Sequence, residues 1–134
     1  MKTVLVCGGR DYNNWAEFRD TLDDIFYSRG WTTELDDLGN CLPAVTIISG
    51  GARGADELAA TYAMVNWTGY REYKADWTNH NKAAGPIRNQ QMLDEEPDIT
   101  LVIAFPGGSG TADMVRRAKK KGIEVKEVKH AERT

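Results

Sequence analysis

The sequence predicts an α/β domain: a doubly wound, mainly parallel sheet of five strands with helices on both faces. Three observations predict it. Apolar runs at Thr3–Cys7, Ala44–Ser49 and Asp98–Ala104 read as strands covered on both sides. Helical patterns separate them, as parallel neighbours require a crossover between them. Each run also ends in a glycine-rich turn.

The first strand stops at Gly8 and Gly9. From Trp15 to Tyr27, the apolar residues Trp15, Phe18, Leu22, Ile25 and Phe26 recur at three- and four-residue spacing, which aligns them on one helical face. Asn13 or Asn14 is the expected N-cap. Gly30 to Pro43 is acidic and turn-rich, a surface connection to the second strand. That strand runs into Ser49-Gly50-Gly51-Ala52-Arg53-Gly54-Ala55-Asp56, after which Ala55, Leu58, Ala59, Tyr62, Ala63 and Val65 form a small-residue helical stripe. Tyr70 to Tyr73 alternates with charge and suits an edge strand. A polar segment, Ala75 to Gly85, precedes a helix over Pro86–Glu95, with the proline in its first turn. The fourth strand leads into Phe105-Pro106-Gly107-Gly108-Ser109-Gly110-Thr111. Thr111 is the expected N-cap of a helix over Ala112–Lys121, Gly122 its C-cap, and Ile123–Val128 the fifth strand. One domain therefore spans residues 1–129, with a tail at 130–134.

Composition bounds the function. The 134 residues carry 17 Lys plus Arg against 20 Asp plus Glu, a net charge of -3 that opposes a duplex-coating nucleic-acid binder. The imbalance is local: residues 1–67 hold ten acidic and five basic side chains, and residues 68–134 hold ten acidic and twelve basic. Much of the late positive charge closes the last helix, where cations complement the dipole. Cys7 and Cys41 form no spaced framework, so a reduced, cytoplasmic chain is expected, with no metal site and no cofactor. No apolar stretch approaches the ~20 residues of a membrane span.

A strand order of 3-2-1-4-5 places the winding reversal between the first and fourth strands, where ligands of doubly wound sheets bind. Glycine-rich turns there let an anion approach backbone N–H groups, and the following helix adds its dipole. Phosphate is the favoured guest. Ala55-Asp56 after Gly54 excludes a Walker A loop, and neither Gly8-Gly9-Arg10 nor Gly107-Gly108-Ser109-Gly110 completes a dinucleotide fingerprint. Arg10, Arg53 and Arg88 offer guanidinium forks to phosphate, or else ion pairs with Asp11, Asp56 and Asp76. Lys82 and Asn89 can add phosphate or sugar contacts. Trp77 can stack on a base or merely cover core. Asp56 suits a helix start, His80 a polar surface, and Cys7 a buried small apolar position.

These motifs together resemble the SLOG superfamily. Gly8-Gly9-Arg10-Asp11, the Ser49–Asp56 turn, Ala75-Asp76-Trp77, Ala84–Met92 and Pro106–Met114 look most like its small single-domain YspA-like proteins, the DUF2493 group. The superfamily includes DprA-type single-stranded-DNA binders, Lonely Guy phosphoribohydrolases and sensor domains for nucleotide-derived signals. The resemblance implies a Rossmann-like fold and a site for a nucleotide or nucleotide-derived ligand, ADP-ribose-like or cyclic, held for sensing or sequestration. The implied ligand-binding residues are Gly8, Gly9, Arg10, Ser49, Gly50, Gly51, Arg53, Gly54, Asp56, Asp76, Trp77, Lys82, Arg88, Asn89, Pro106, Gly107, Gly108, Ser109, Gly110 and Thr111. Similarity to the phosphoribohydrolases implies an alternative, an N-glycosidase acting on nucleoside 5′-monophosphates, with Arg88 and Asp113 as its catalytic residues. Met114 stands where those enzymes place their catalytic Glu, and that disfavours the enzyme. Single-stranded nucleic acid is disfavoured by the acidic balance; a homodimer is expected, with Trp15, Phe18, Trp67 and Tyr70 serving either core or interface.

Overall fold

The computed structural model describes residues 1–129, so the expected tail lies outside the described residues. Strands β1 (Lys2–Cys7), β2 (Val45–Ser49), β3 (Gly69–Glu72), β4 (Ile99–Ala104) and β5 (Glu124–Glu127) alternate with helices α1 (Trp15–Ser28), α2 (Ala55–Asn66), α3 (Trp77–His80), α4 (Ala84–Glu95) and α5 (Ser109–Lys120). Every strand pair is parallel, and the order across the sheet is β3-β2-β1-β4-β5. The winding therefore reverses between β1 and β4.

Period-two alternation along β1 divides the core. Val4 and Val6 join Val45, Ile47, Leu101 and Ile103 under Phe18, Leu22 and Phe26 of α1 and Ala59 and Tyr62 of α2. Leu5, Ile48 and Val102 face the other way, onto Met92 and Leu93 of α4 and Met114 and Ala118 of α5. Asn14 is the cap of α1, its side-chain oxygen accepting the Glu17 amide at 3.1 Å. Phe18 stacks on Phe105 with ring centres 4.5 Å apart. Phe18 is thus core, and Trp15 and Tyr70 pack against it, whereas Trp67 is 85% exposed at the end of α2 with φ +59°.

Two expectations need correction. The polar segment before α4 contains the short helix α3, nucleated by Asp76, whose carboxylate accepts the Asn79 amide at 3.1 Å and its side-chain amide at 2.7 Å. A 3-10 turn at Asn81–Ala83 follows, and α4 begins two residues before Pro86. A helix this short and exposed has no apolar period to announce it. Likewise α5 starts at Ser109 with Gly108 as N-cap, so Thr111 lies inside the first turn and does not cap it. Gly122, at φ +82°, follows the last turn of α5, with its amide on the Lys119 carbonyl at 3.0 Å.

The edge strand β3 is tied to the end of α4. Arg71 forks onto the buried Glu96 carboxylate at 2.8 and 2.6 Å, and the Tyr73 hydroxyl donates to it at 2.6 Å. The Arg71 hydrogen bonds, helped by Tyr73, hold the Glu96 carboxyl below its ordinary range despite burial. A lowered native pKa contributes stability where the carboxylate is charged and loses it as pH falls through the native value. Glu96→Ala should therefore cost about 2 kcal/mol at neutral pH. The deficit should shrink on acidification below the ordinary glutamate range. Urea denaturation of both proteins at neutral and acid pH checks this, and a pH-independent deficit contradicts it.

Candidate functional site

The turns after β1, β2 and β4 meet backbone to backbone. The Gly9 amide donates to the Pro106 carbonyl at 2.9 Å, and the Gly9 carbonyl accepts the Ala55 amide at 3.2 Å. A methyl on Gly8 would stand 2.6 Å from the Ala55 Cβ, one on Gly107 would stand 2.6 Å from the Gly9 nitrogen, and one on Gly54, at φ +77°, would collide with the Gly9 carbonyl. These glycines serve close approach first. Between the joined turns, α4 and α5 lies a cleft of about 640 Å³, at the switch point between β1 and β4.

The three turns are not equivalent toward an anion. With its hydrogen on Pro106, the Gly9 amide has none to offer, although Gly8, Gly9 and Arg10 all line the cleft. In the second turn an internal anion fills the place: the buried Asp56 carboxylate accepts the Ala52 amide at 3.0 Å. Burial raises the Asp56 pKa, opposed by the backbone amides of Ala52 and Gly50 and by the Arg88 charge. The third turn stays open. Gly108 brings no side-chain cap to α5, and no acceptor among the described residues takes the amide hydrogens of Ser109, Gly110 and Thr111. A methyl on Gly110 would meet nothing within 4 Å, so the fold itself does not demand glycine there.

Facing this turn are Arg10, Lys82, Arg88 and Arg116, four basic side chains against two lining carboxylates, Asp56 and Asp113. Arg88, on α4, is half-buried. Its guanidinium donates to the Gly50 carbonyl at 2.7 Å and to the Asn89 side-chain oxygen at 3.1 Å, and no carboxylate comes within ion-pair distance among the described residues. Burial lowers its pKa, and the like charge of Arg10 adds to this while Asp56 opposes it. Arg10, Arg53 and Arg88 form no carboxylate ion pair among the described residues. A desolvated cation with only neutral acceptors is favoured by an incoming anion.

Asp113 and Met114 have opposite fates. Met114 is fully buried in the core beneath α5, whereas Asp113 lines the cleft. Asn89 donates to Asp113 at 3.0 Å, Arg117 at 2.9 Å, and Arg116 closes a short ion pair on its other oxygen. Burial pushes the Asp113 pKa up, but these hydrogen bonds and charges outweigh it and the net shift is downward. The carboxylate is thereby committed to holding α4, α5 and Arg116 together. Cys7 also lines the cleft, its thiol pushed up to about 12, chiefly by burial and then by Asp56.

Of the residues expected at the site, the cleft brings together Gly8, Gly9, Arg10, Gly50, Asp56, Trp77, Lys82, Arg88, Asn89, Gly108, Ser109, Gly110, Thr111 and Asp113. The remainder lie outside its lining. Ser49 is buried with its hydroxyl 2.5 Å from that of Tyr70, and Asp76 caps α3. Pro106 and Gly107 abut Gly9, Gly54 abuts its carbonyl, and Gly51, at φ +69°, turns the chain beside Glu72. Arg53 is exposed on the second turn. Arg116, which the sequence presents only as part of a cationic helix end, also lines the cleft, and its position three residues after Asp113 is the signal for that pairing.

The parallel order, helix-covered sheet and switch-point cleft define a Rossmann-like α/β domain. The model of the YspA, cpYpsA-related SLOG family matches residues 2–80, and the chain belongs to that family. The Gene 61 protein of Mycobacterium phage D29 is 31% identical over 130 residues, 93% of this chain and 94% of that protein. The X-ray structure of TM1055, a Northeast Structural Genomics Consortium target, shares the fold with a TM-score of 0.63 at 19% identity, over 93% of this chain and 72% of that one. Family membership points to a nucleotide-related function. No helix among the described residues is long and apolar enough to cross a membrane.

Two glycine substitutions separate fold from site. Gly54→Ala should destabilise the protein by at least ~2 kcal/mol, from its positive φ and the collision with Gly9. Gly110→Ala, in the first turn of a helix, should leave stability unchanged or raise it by up to ~1 kcal/mol. Urea denaturation of the two variants checks the contrast, and equal losses would remove it.

Proposed function

We propose that the cleft binds a nucleotide or nucleotide-derived ligand, ADP-ribose-like or cyclic, for sensing or sequestration, with phosphate on the open first turn of α5. The observation that carries this is Arg88: a half-buried cation with no carboxylate at ion-pair distance among the described residues, lining the same cleft as the uncapped amides of Ser109, Gly110 and Thr111. Lys82 and Arg10 supply further positive charge at the rim, and Asn89 fixes α4 to the Gly110 carbonyl at 3.2 Å. Family membership supports the same class of ligand.

Isothermal calorimetry against nucleoside mono- and diphosphates, cyclic nucleotides and ADP-ribose tests the reading. Binding to at least one is expected, and silence across the panel sinks it. Lys82→Ala and Gly110→Ala should each weaken that binding roughly tenfold, one by removing a charge-assisted contact and the other by placing a methyl where the anion approaches. The glycosidase reading lacks its carboxylate, because Met114 is in the core and Asp113 is engaged by three partners. No free base is expected after prolonged incubation with nucleoside 5′-monophosphates, and its release would restore the enzyme.

We also propose a homodimer, supported by the exposure of Met64, Val65 and Trp67 together at the end of α2. Light scattering should return about twice the 14.9 kDa chain mass, and the monomer mass at micromolar concentration contradicts it.

A further inference from the structure

Trp77 belongs to neither core cluster; 47% exposed on α3, it lines the cleft beside Gly85. What covers it is a charge. The Arg10 guanidinium, from the turn after β1, lies over the indole with its carbon 5.1 Å from the ring centre. Arg10 is itself exposed and makes no carboxylate ion pair among the described residues, so this contact across the cleft is its main anchor. Two chain segments distant in sequence thus meet at one site through a flat cation and a flat ring.

We propose that Arg10 and Trp77 form a latch that selects ligands carrying a flat heterocyclic base, the base inserting between guanidinium and indole. The latch rests on the nucleotide reading of the cleft. A ring stacked against both partners needs about 3.5 Å on each side. With the guanidinium carbon now 5.1 Å from the ring centre, Arg10 has to withdraw by at least about 2 Å, within the reach of an exposed arginine on a loop. Indole stacking is tolerant of base identity, because every base presents a π-face, and the guanidinium on the outer side keeps a cation–π contact with it. The same arginine disfavours the charge on Arg88, so phosphate arriving between them relieves that repulsion as the base enters. Base and phosphate recognition are thereby coupled, and a sugar phosphate lacking the base leaves the latch closed.

Calorimetric titration of the full chain with the four ribonucleoside 5′-monophosphates and with ribose 5-phosphate tests the latch. At least one monophosphate should bind roughly ten- to a hundredfold more tightly than ribose 5-phosphate. Trp77→Ala should bring that ratio close to one, Trp77→Phe should restore most of it, and Arg10→Gln should reduce it less. A ratio unchanged in Trp77→Ala, or already near one in the unaltered protein, overturns the latch and leaves the nucleotide reading standing. If the unaltered protein binds none of these phosphates, the latch falls, and the nucleotide reading is decided by the wider panel of diphosphates, cyclic nucleotides and ADP-ribose.

Discussion

The cleft of this protein depends on one backbone joint, in which Gly9 donates its amide to Pro106 and receives the amide of Ala55 on its carbonyl. Three turns from three different strands can touch in this way only where no Cβ intervenes, and Gly8, Gly54 and Gly107 provide that absence. Glycine is entropically costly to order. Here the gain is that β1, β2 and β4 end in one joined platform and the first turn of α5 is left facing a cleft, not another segment of chain. Without the joint, the charged residues around it would have no common target.

Charge in the cleft follows from the same arrangement. The chain is acidic overall, yet its switch point collects Arg10, Lys82, Arg88 and Arg116. Asp56 satisfies the second turn from within, so the chemistry that would take an external anion there is already occupied. Arg88, by contrast, is partly desolvated with only neutral acceptors. One turn is closed by an internal carboxylate, and another is open beside a cation with no carboxylate at ion-pair distance among the described residues.

Between α4 and α5, a polar network turns helix packing into site geometry. Asn89 reaches Asp113 and the Gly110 carbonyl, while Arg117 joins Asp113 to Gln90 at 2.8 Å. The rotational phase of α5 then decides which of two neighbouring residues lines the cleft. Met114 goes under the helix into the core, and Asp113 goes to the cleft. A 100° step per residue allows only one of the pair each environment.

The amino-acid sequence by itself determined the five strands and the glycine-rich turns that end three of them, because apolar period and turn chemistry are local properties; the strand order that puts the reversal between β1 and β4 was settled by the tertiary structure. Strand ends came within one or two residues, the usual fraying. The family resemblance also rested on sequence, through motifs in order, and it held. Helix α3 and the true start of α5 were not legible: the first has no apolar face and the second begins on glycine and serine, which signal turns. Tertiary structure alone decided which glycine amides remain open, that Asp56 occupies one turn, and that Arg10 lies on Trp77. Each of those outcomes depends on distances between segments remote in the chain, and no local pattern carries that information.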